Sequence, residues 1–205
     1  MVKEEVKKGL REQEADAFYD ECRAAFLHDP RPRWRGNLLC LGYNSSASPT
    51  IVIGPDWAFV LVKLFLVNGI LGYFLYWMDH SEHAFTFWLG VSLLSLENSL
   101  YLTTVFKNQG LPPRDLSVHS QAYLDKVRLL RPNLYCKKCK IVHREGQAVA
   151  HCDCCEQCVE GYDHHCPWSS KCIGKGNLNS FTVFLFALTL LIIYTFTGGI
   201  AASMM

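Results

Sequence analysis

Eight of the chain's ten cysteines fall between residues 136 and 172, and four of its eight histidines lie among them (His143, His151, His164 and His165). A stretch of 37 residues this rich in thiols is either a disulfide framework or a metal-organised module. The cysteines are spaced as Cys136-x-x-Cys139, then His151-Cys152-x-x-Cys155-x-x-Cys158, then Cys166 and Cys172. Cys-x-x-Cys is the spacing with which a tight turn offers two thiolates to one tetrahedral Zn²⁺. Two closed four-ligand sites use eight donors, and the stretch offers more than eight. The segment is too poor in apolar residues to fold by burial alone, so metal binding would supply much of its folding free energy, on the order of 10 kcal/mol per site.

What surrounds this stretch decides between the two chemistries. Apolar residues, half of the composition, are gathered in blocks rather than spread periodically. Trp57 to Trp77 carries one charge, Lys63; Ala84 to Phe106 carries one, Glu97; Phe181 to Met205 carries none. About 20 apolar residues cross a bilayer as a helix, and Trp57, Tyr76 and Trp77 sit where aromatic rings favour the interface. The connection 78–83 has no Lys or Arg, whereas the segments before residue 57 and from 107 to 180 are rich in them. Basic residues mark the cytoplasmic side, so the first two spans form a hairpin with the N-terminal region and the cysteine stretch in the cytosol. Thiols there stay reduced, which favours metal over disulfides. The first twenty residues lack the apolar core of a signal peptide. A net charge of +1 gives no field for nucleic acid.

The reading is therefore a membrane protein of all-α transmembrane helices, three spans in all, with a cytosolic two-zinc, cysteine-rich domain of short β-hairpins and loops. Its parts are a cytosolic N-terminal region (1–50), a transmembrane hairpin (51–106, spans 57–77 and 84–106), the cysteine-rich domain (107–180) and a third span (181–205). Apolar residues from Val2 to Phe26 recur at helical intervals and suggest an amphipathic helix. Residues 28–56 hold four of the eight prolines and read as loop. Lys63, Asn68, Glu97 and Asn98 stand inside spans, where polar groups turn to the protein interior.

Asp163-His164-x-Cys166 brings a carboxylate, an imidazole and a thiol together. Imidazole can take the thiol proton, and carboxylate can fix its tautomer. A neighbouring imidazolium raises the thiolate fraction, and thiolate is the nucleophile. On spacing alone, Cys166 is a nucleophile, a spare thiol or a metal ligand.

The run from Cys136 through Asp163-His164-His165-Cys166-Pro167-Trp168 to Cys172-Ile173-Gly174, Asn177 and Phe181 strongly resembles the DHHC family of protein S-acyltransferases (palmitoyltransferases). Gly54-Pro55-Asp56 and Gly110-Leu-Pro-Pro-Arg114 also look like features of that family. The resemblance implies one zinc on Cys136, Cys139, His151 and Cys158. It implies a second on Cys152, Cys155, His165 and Cys172. Asp163, His164 and Cys166 are then the catalytic set, and Cys154 has no role.

The implied reaction moves a long-chain acyl group, typically palmitoyl, from acyl-CoA onto Cys166. From there it passes to cysteines of membrane-proximal client proteins. Partners would be acyl-CoA, membrane lipids and those clients, with no nucleic acid. The protein would be integral to the Golgi, endoplasmic reticulum or plasma membrane. Lys171, Lys175 and Arg131 are candidates for meeting CoA phosphates. The alternative is a non-catalytic zinc-binding membrane adaptor or an inactive fragment of such an enzyme.

Departures from the family pattern bear on that alternative. The run between Cys139 and His151 is longer than usual and lacks its proline. Ser169-Ser170-Lys171 replaces the usual Asn before Cys172, and Asn108-Gln109-Gly110 stands for Asp-Pro-Gly. The family has four spans and a Thr-Thr-x-Glu tail, whereas this sequence stops at Met205, as a chain truncated after its third span would.

Overall fold

The computed structural model of the chain describes residues 33–44, 48–77, 84–111, 135–139, 141–142 and 148–203. The amphipathic helix expected over 2–26, together with Cys22 and Arg131, lies outside them.

Three helices form the apolar part: α1 (Trp57–Trp77), α2 (Ala84–Phe106) and α3 (Leu178–Ser203). At 1.5 Å per residue, the 21 residues of α1 are about 31 Å long, a bilayer's hydrocarbon thickness. Two helices among the described residues, Trp57–Tyr76 and Leu178–Gly198, are long and apolar enough to cross a membrane. Both turn large apolar side chains outward, including Phe65, Ile70, Phe186 and Phe196. The more polar α2 satisfies its hydroxyls within its own backbone. Ser92, Ser95, Ser99, Thr103 and Thr104 each donate to the carbonyl four residues back.

The helices meet over two apolar clusters, Val60/Tyr101/Val105/Phe184 and Leu71/Leu75/Leu191/Tyr194. α2 comes close to α3 at Gly90, where a Cβ would lie 2.7 Å from the Tyr194 ring. The Tyr194 hydroxyl donates to the Thr86 carbonyl at 2.8 Å. Polar residues inside the apolar runs find one another. The Lys63 ammonium lies 2.5 Å from a Glu97 carboxylate oxygen and 3.8 Å from the Tyr101 ring centroid. Asn68 and Asn98 exchange reciprocal amide bonds at 3.2 and 3.0 Å.

Part of the 28–56 stretch is not loop. Residues 33–53 build an antiparallel three-stranded sheet: β1 (Arg33–Arg35), β2 (Leu38–Tyr43) and β3 (Pro49–Ile53), in that order. The β1–β2 turn is two residues, Gly36-Asn37, with Gly36 at φ +56°. That left-handed φ suits the first central position of a hairpin turn of type II′. Pro49 opens β3 and Pro55 follows its end, where a missing N–H is tolerated, so neither argues against strands here, and Pro30 and Pro32 lie outside the described residues. Leu38, Cys40 and Val52 point from this sheet into a core shared with Cys152, Cys155, Val159 and Cys172.

The cysteine-rich stretch is three two-stranded hairpins: β4 (Tyr135–Cys136) with β5 (Ile141–Val142), β6 (Val149–Cys152) with β7 (Gln157–Glu160), and β8 (His164–Cys166) with β9 (Lys171–Ile173). Backbone bonds tie it to the segment after α2. The Glu160 N–H donates to the Gly110 carbonyl at 2.8 Å, and the Gly176 N–H to that of Gln109 at 3.2 Å. Asn108 anchors this segment. Its side-chain oxygen accepts from the N–H groups of Gly110 and Leu111, and its amide donates to the Pro49 carbonyl.

Candidate metal centres and the Cys166 site

Strand alternation sorts the cysteines and histidines. Neighbouring residues of a strand face opposite sides. In β6, His151 stands across from Cys158 on β7. The next residue, Cys152, turns the other way. In β8, His165 stands across from Cys172 on β9, while His164 and Cys166 share the opposite face. Residues adjacent in sequence are thus sent to different sites.

Among the described residues two groups of four donors result: Cys136, Cys139, His151 and Cys158, and Cys152, Cys155, His165 and Cys172. In the first, the His151 Nδ1 lies 3.6, 3.2 and 3.9 Å from the sulfurs of Cys136, Cys139 and Cys158. In the second, the His165 Nδ1 lies 3.4, 3.5 and 3.6 Å from those of Cys152, Cys155 and Cys172. A tetrahedral zinc with its usual S and N bond lengths puts its donors roughly 3.6 to 3.8 Å apart. The Cys155 and Cys172 sulfurs, 3.5 Å apart, are far longer than a disulfide. Each Cys-x-x-Cys turn folds its backbone onto sulfur: the Cys139 N–H donates to Cys136 Sγ and the Cys155 N–H to Cys152 Sγ. Three soft thiols with one imidazole, in this geometry, fit a closed metal site.

The thiols within each group also share protons unequally. A hydrogen bond from Cys158 pulls Cys139 down to about 5, and one from Cys172 pulls Cys155 down to about 6. The same bonds push Cys158 and Cys172 up.

Cys166 belongs to neither group and is buried. Asp163 Oδ2 accepts from His164 Nδ1 at 2.9 Å. That bond fixes the tautomer and leaves Nε2 as the acceptor nitrogen. The His164 ring packs edge-on to Phe181 of α3, centroids 5.5 Å apart. After Cys166 the chain turns through a 3₁₀ segment, Pro167–Ser169, closed by Ser170 in the left-handed region at φ 67°. The Ser169 hydroxyl donates to the Cys166 and Lys171 carbonyls.

Each helix touches this turn or the strand before it. Trp168 packs edge-on to Phe59 of α1 at 5.5 Å, and its carbonyl accepts from the Tyr101 hydroxyl of α2 at 2.5 Å. Lys171 is fully buried, with its Nζ donating to the Val105 carbonyl in the last turn of α2. Burial lowers its ammonium to about 7. The expectation that Lys171 meets CoA phosphates is therefore wrong: the side chain is spent inside the protein, capping a helix end. Lys175 is exposed, 3.7 Å from Glu160.

Several supporting residues were not assigned a role from sequence. Asp56, just before α1, accepts from His165 Nε2 at 2.7 Å. Tyr101 and Asn108 act from α2 and the segment after it. Asn177, whose oxygen accepts from the Gly174 N–H, also donates to the Cys172 carbonyl. Asp56 and Asn177 carried a signal as parts of the quoted resemblance, and Asn108 as the residue standing at the Asp of the family's Asp-Pro-Gly. The Cys154 thiol is exposed and lies outside both groups.

The cysteine-rich stretch also has relatives among known proteins. Residues 131–204 match the family model of the DHHC palmitoyltransferase. Over 94 residues, 46% of this chain, the sequence is 48% identical to human Palmitoyltransferase ZDHHC9, covering 24% of that protein. Over 192 residues, 78% of this chain, it is 28% identical to Probable protein S-acyltransferase 5 of Arabidopsis thaliana, covering 39% of it. A match to human Palmitoyltransferase ZDHHC14 is 39% identical over 85 residues, 42% of this chain and 16% of that protein. The chain thus spans between about a sixth and two-fifths of the length of these curated relatives. The stretch that matches the DHHC palmitoyltransferase model, residues 131–204, thus holds both Cys/His groups and Cys166.

Proposed function

We propose that the chain is a protein S-acyltransferase that carries a long-chain acyl group from acyl-CoA to client cysteines through a thioester on Cys166. The observation that carries this is the arrangement on β8. His164, bonded to Asp163, shares a strand face with Cys166, while His165 between them turns away to a Cys/His cluster. Cys136, Cys139, His151 and Cys158 would hold one structural zinc ion, and Cys152, Cys155, His165 and Cys172 a second. Four-ligand sites of this kind would supply structural cross-links between the hairpins rather than a place for substrate.

The chain's own groups do the chemistry. His164 Nε2 takes the Cys166 proton, with Asp163 holding the ring and stabilising its cation. The Cys166 thiolate attacks the carbonyl carbon of the acyl-CoA thioester. The C–S bond to CoA breaks, and the departing thiolate takes the proton from His164. A client thiol then repeats the exchange and restores Cys166. One thioester replaces another, so the protein contributes placement and thiolate formation rather than driving force.

The helices α1, α2 and α3 are the membrane spans, and the cysteine-rich domain faces the cytosol. Cys166 sits where the ends of all three helices meet the hairpins. That position brings the thiol to the depth of an acyl thioester whose chain lies in the bilayer.

The purified chain in lipid nanodiscs, incubated with alkyne-tagged palmitoyl-CoA, should acquire a hydroxylamine-sensitive label that Cys166→Ala abolishes. His164→Ala should lower the labelling rate by 10²- to 10⁴-fold, the usual contribution of a general base. Full zinc content with no label on Cys166 would instead identify a non-catalytic adaptor.

A further inference from the structure

The two Cys/His clusters differ in what stands behind their histidines. In the first, His151 Nε2 lies 3.4 Å from Asp153, whose side chain is 75% exposed and also paired with Lys138 at 2.5 Å. A carboxylate that open to water, already shared with a lysine, gives an imidazole little orientation. In the second, His165 Nε2 lies 2.7 Å from Asp56, with side chains 13% and 31% exposed. Asp56 is not part of the cysteine-rich stretch. It is 109 residues away in sequence, at the entry to α1.

The segment bearing Asp56 is fastened to the same hairpin by its backbone. The Gly54 N–H donates to the Ser170 hydroxyl at 3.1 Å, and the Asp56 N–H to the Ser170 carbonyl at 3.3 Å. Any side chain at 54 would collide with that carbonyl and with Lys171 Cβ. Upstream, Asn37 reaches the Cys155 carbonyl with its N–H and the Cys154 carbonyl with its amide. The 33–56 segment therefore holds the second cluster from behind, and Asp56 gives it a side-chain hydrogen bond to the donor His165.

From this arrangement we infer that Asp56 is a positioning residue for the second metal site. Its carboxylate holds His165 as the Nε2–H tautomer, aiming Nδ1 at the sulfurs of Cys152, Cys155 and Cys172. Because His165 lies between His164 and Cys166 on a three-residue strand, Asp56 also fixes the strand that presents both. The first site has no counterpart of equal burial among the described residues, so the two sites should differ in how they lose their metal. This inference rests on the two-zinc reading above, and its readout is metal retention rather than acyl transfer.

The test is zinc release from the whole chain in nanodiscs, followed with a chromogenic chelator. Alkylation of the freed cysteines, mapped by mass spectrometry, shows which site opened. Asp56→Ala should release one of two zinc equivalents 10- to 100-fold faster, the usual effect of removing a carboxylate behind a metal-bound histidine. Cys155 and Cys172 should become alkylated while Cys136 and Cys139 stay protected. Asp56→Asn, whose amide oxygen still accepts from Nε2–H, should restore slow release, and Asp153→Ala should leave both sites near wild type. Unchanged release from Asp56→Ala would overturn the inference. So would joint loss of both equivalents, or an Asp56→Asn that behaves like the alanine variant. A wild-type chain holding no zinc would overturn the two-zinc reading itself.

Discussion

Burial gives single residues in this chain unequal weight. Lys63 and Glu97 are both buried in the helical part, and each is the other's charge partner. Removing one partner leaves an uncompensated charge, at a cost of about 3 to 5 kcal/mol when the site is fully desolvated. We expect Lys63→Met to lower the thermal midpoint of the chain in nanodiscs sharply. The double variant Lys63→Met/Glu97→Gln should recover most of that loss. A single variant as stable as wild type would show that the pair contributes nothing to the fold. Glycines divide in the same way. A Cβ on Gly54 overlaps the Ser170 carbonyl, whereas one on Gly69 of α1 meets nothing within 4 Å. Gly54→Ala should therefore destabilise by about 1 to 3 kcal/mol, the range for overpacking. Gly69→Ala should be neutral or slightly stabilising, since alanine favours helix. Thermal denaturation of the two variants side by side checks this.

Elements differ in how far the sequence announces them. Helices α1 and α3 are continuous apolar runs, so each is legible from composition and length. The cysteine-rich hairpins are legible as a metal-organised stretch, because Cys-x-x-Cys turns are local. The sorting of His151 from Cys152, and of His165 from its neighbours, follows from strand alternation; from sequence it was available only through the family pattern. The sheet over 33–53 was missed because the prolines of the 28–56 stretch outweighed the Gly36-Asn37 turn signal, and because its core partners Cys155 and Cys172 lie more than a hundred residues away. Asp56, Tyr101 and Lys171 were missed as supports for the same reason. Their partners are His165, the Trp168 carbonyl and the Val105 carbonyl, and no local pattern encodes such contacts. Metal should matter most to the elements with the least apolar burial. Chelation should expose the cysteines of β4 to β9 to alkylation and abolish their hairpins, while far-UV circular dichroism retains the signal of the three helices. Loss of the helical signal together with the metal would show that the helices depend on the hairpins.

At the scale of the whole molecule, Cys166 stands where two kinds of order meet. The hairpins are arranged around Cys/His clusters, and the helices by apolar packing around a few paired polar groups. The turn after Cys166 is joined to α1 through Phe59 and to α2 through Tyr101 and Lys171, and His164 is joined to α3 through Phe181. Disturbance in either half should reach the thiol. Tyr101→Phe removes the hydroxyl that bonds the Trp168 carbonyl but keeps the ring. It should slow Cys166 acylation several-fold with zinc content unchanged, measured by label incorporation against bound metal. The central claim is that eight donors hold two metal ions and leave the ninth group, the Cys166 thiol, free to carry an acyl chain. Native mass spectrometry of the intact chain after exposure to palmitoyl-CoA tests it most directly. It should find two zinc ions and one palmitoyl group on the same molecule, with the thioester mapped to Cys166. A species whose Cys166 sulfur is bound to zinc, or one that holds both metals and never acquires the acyl mass, would contradict it.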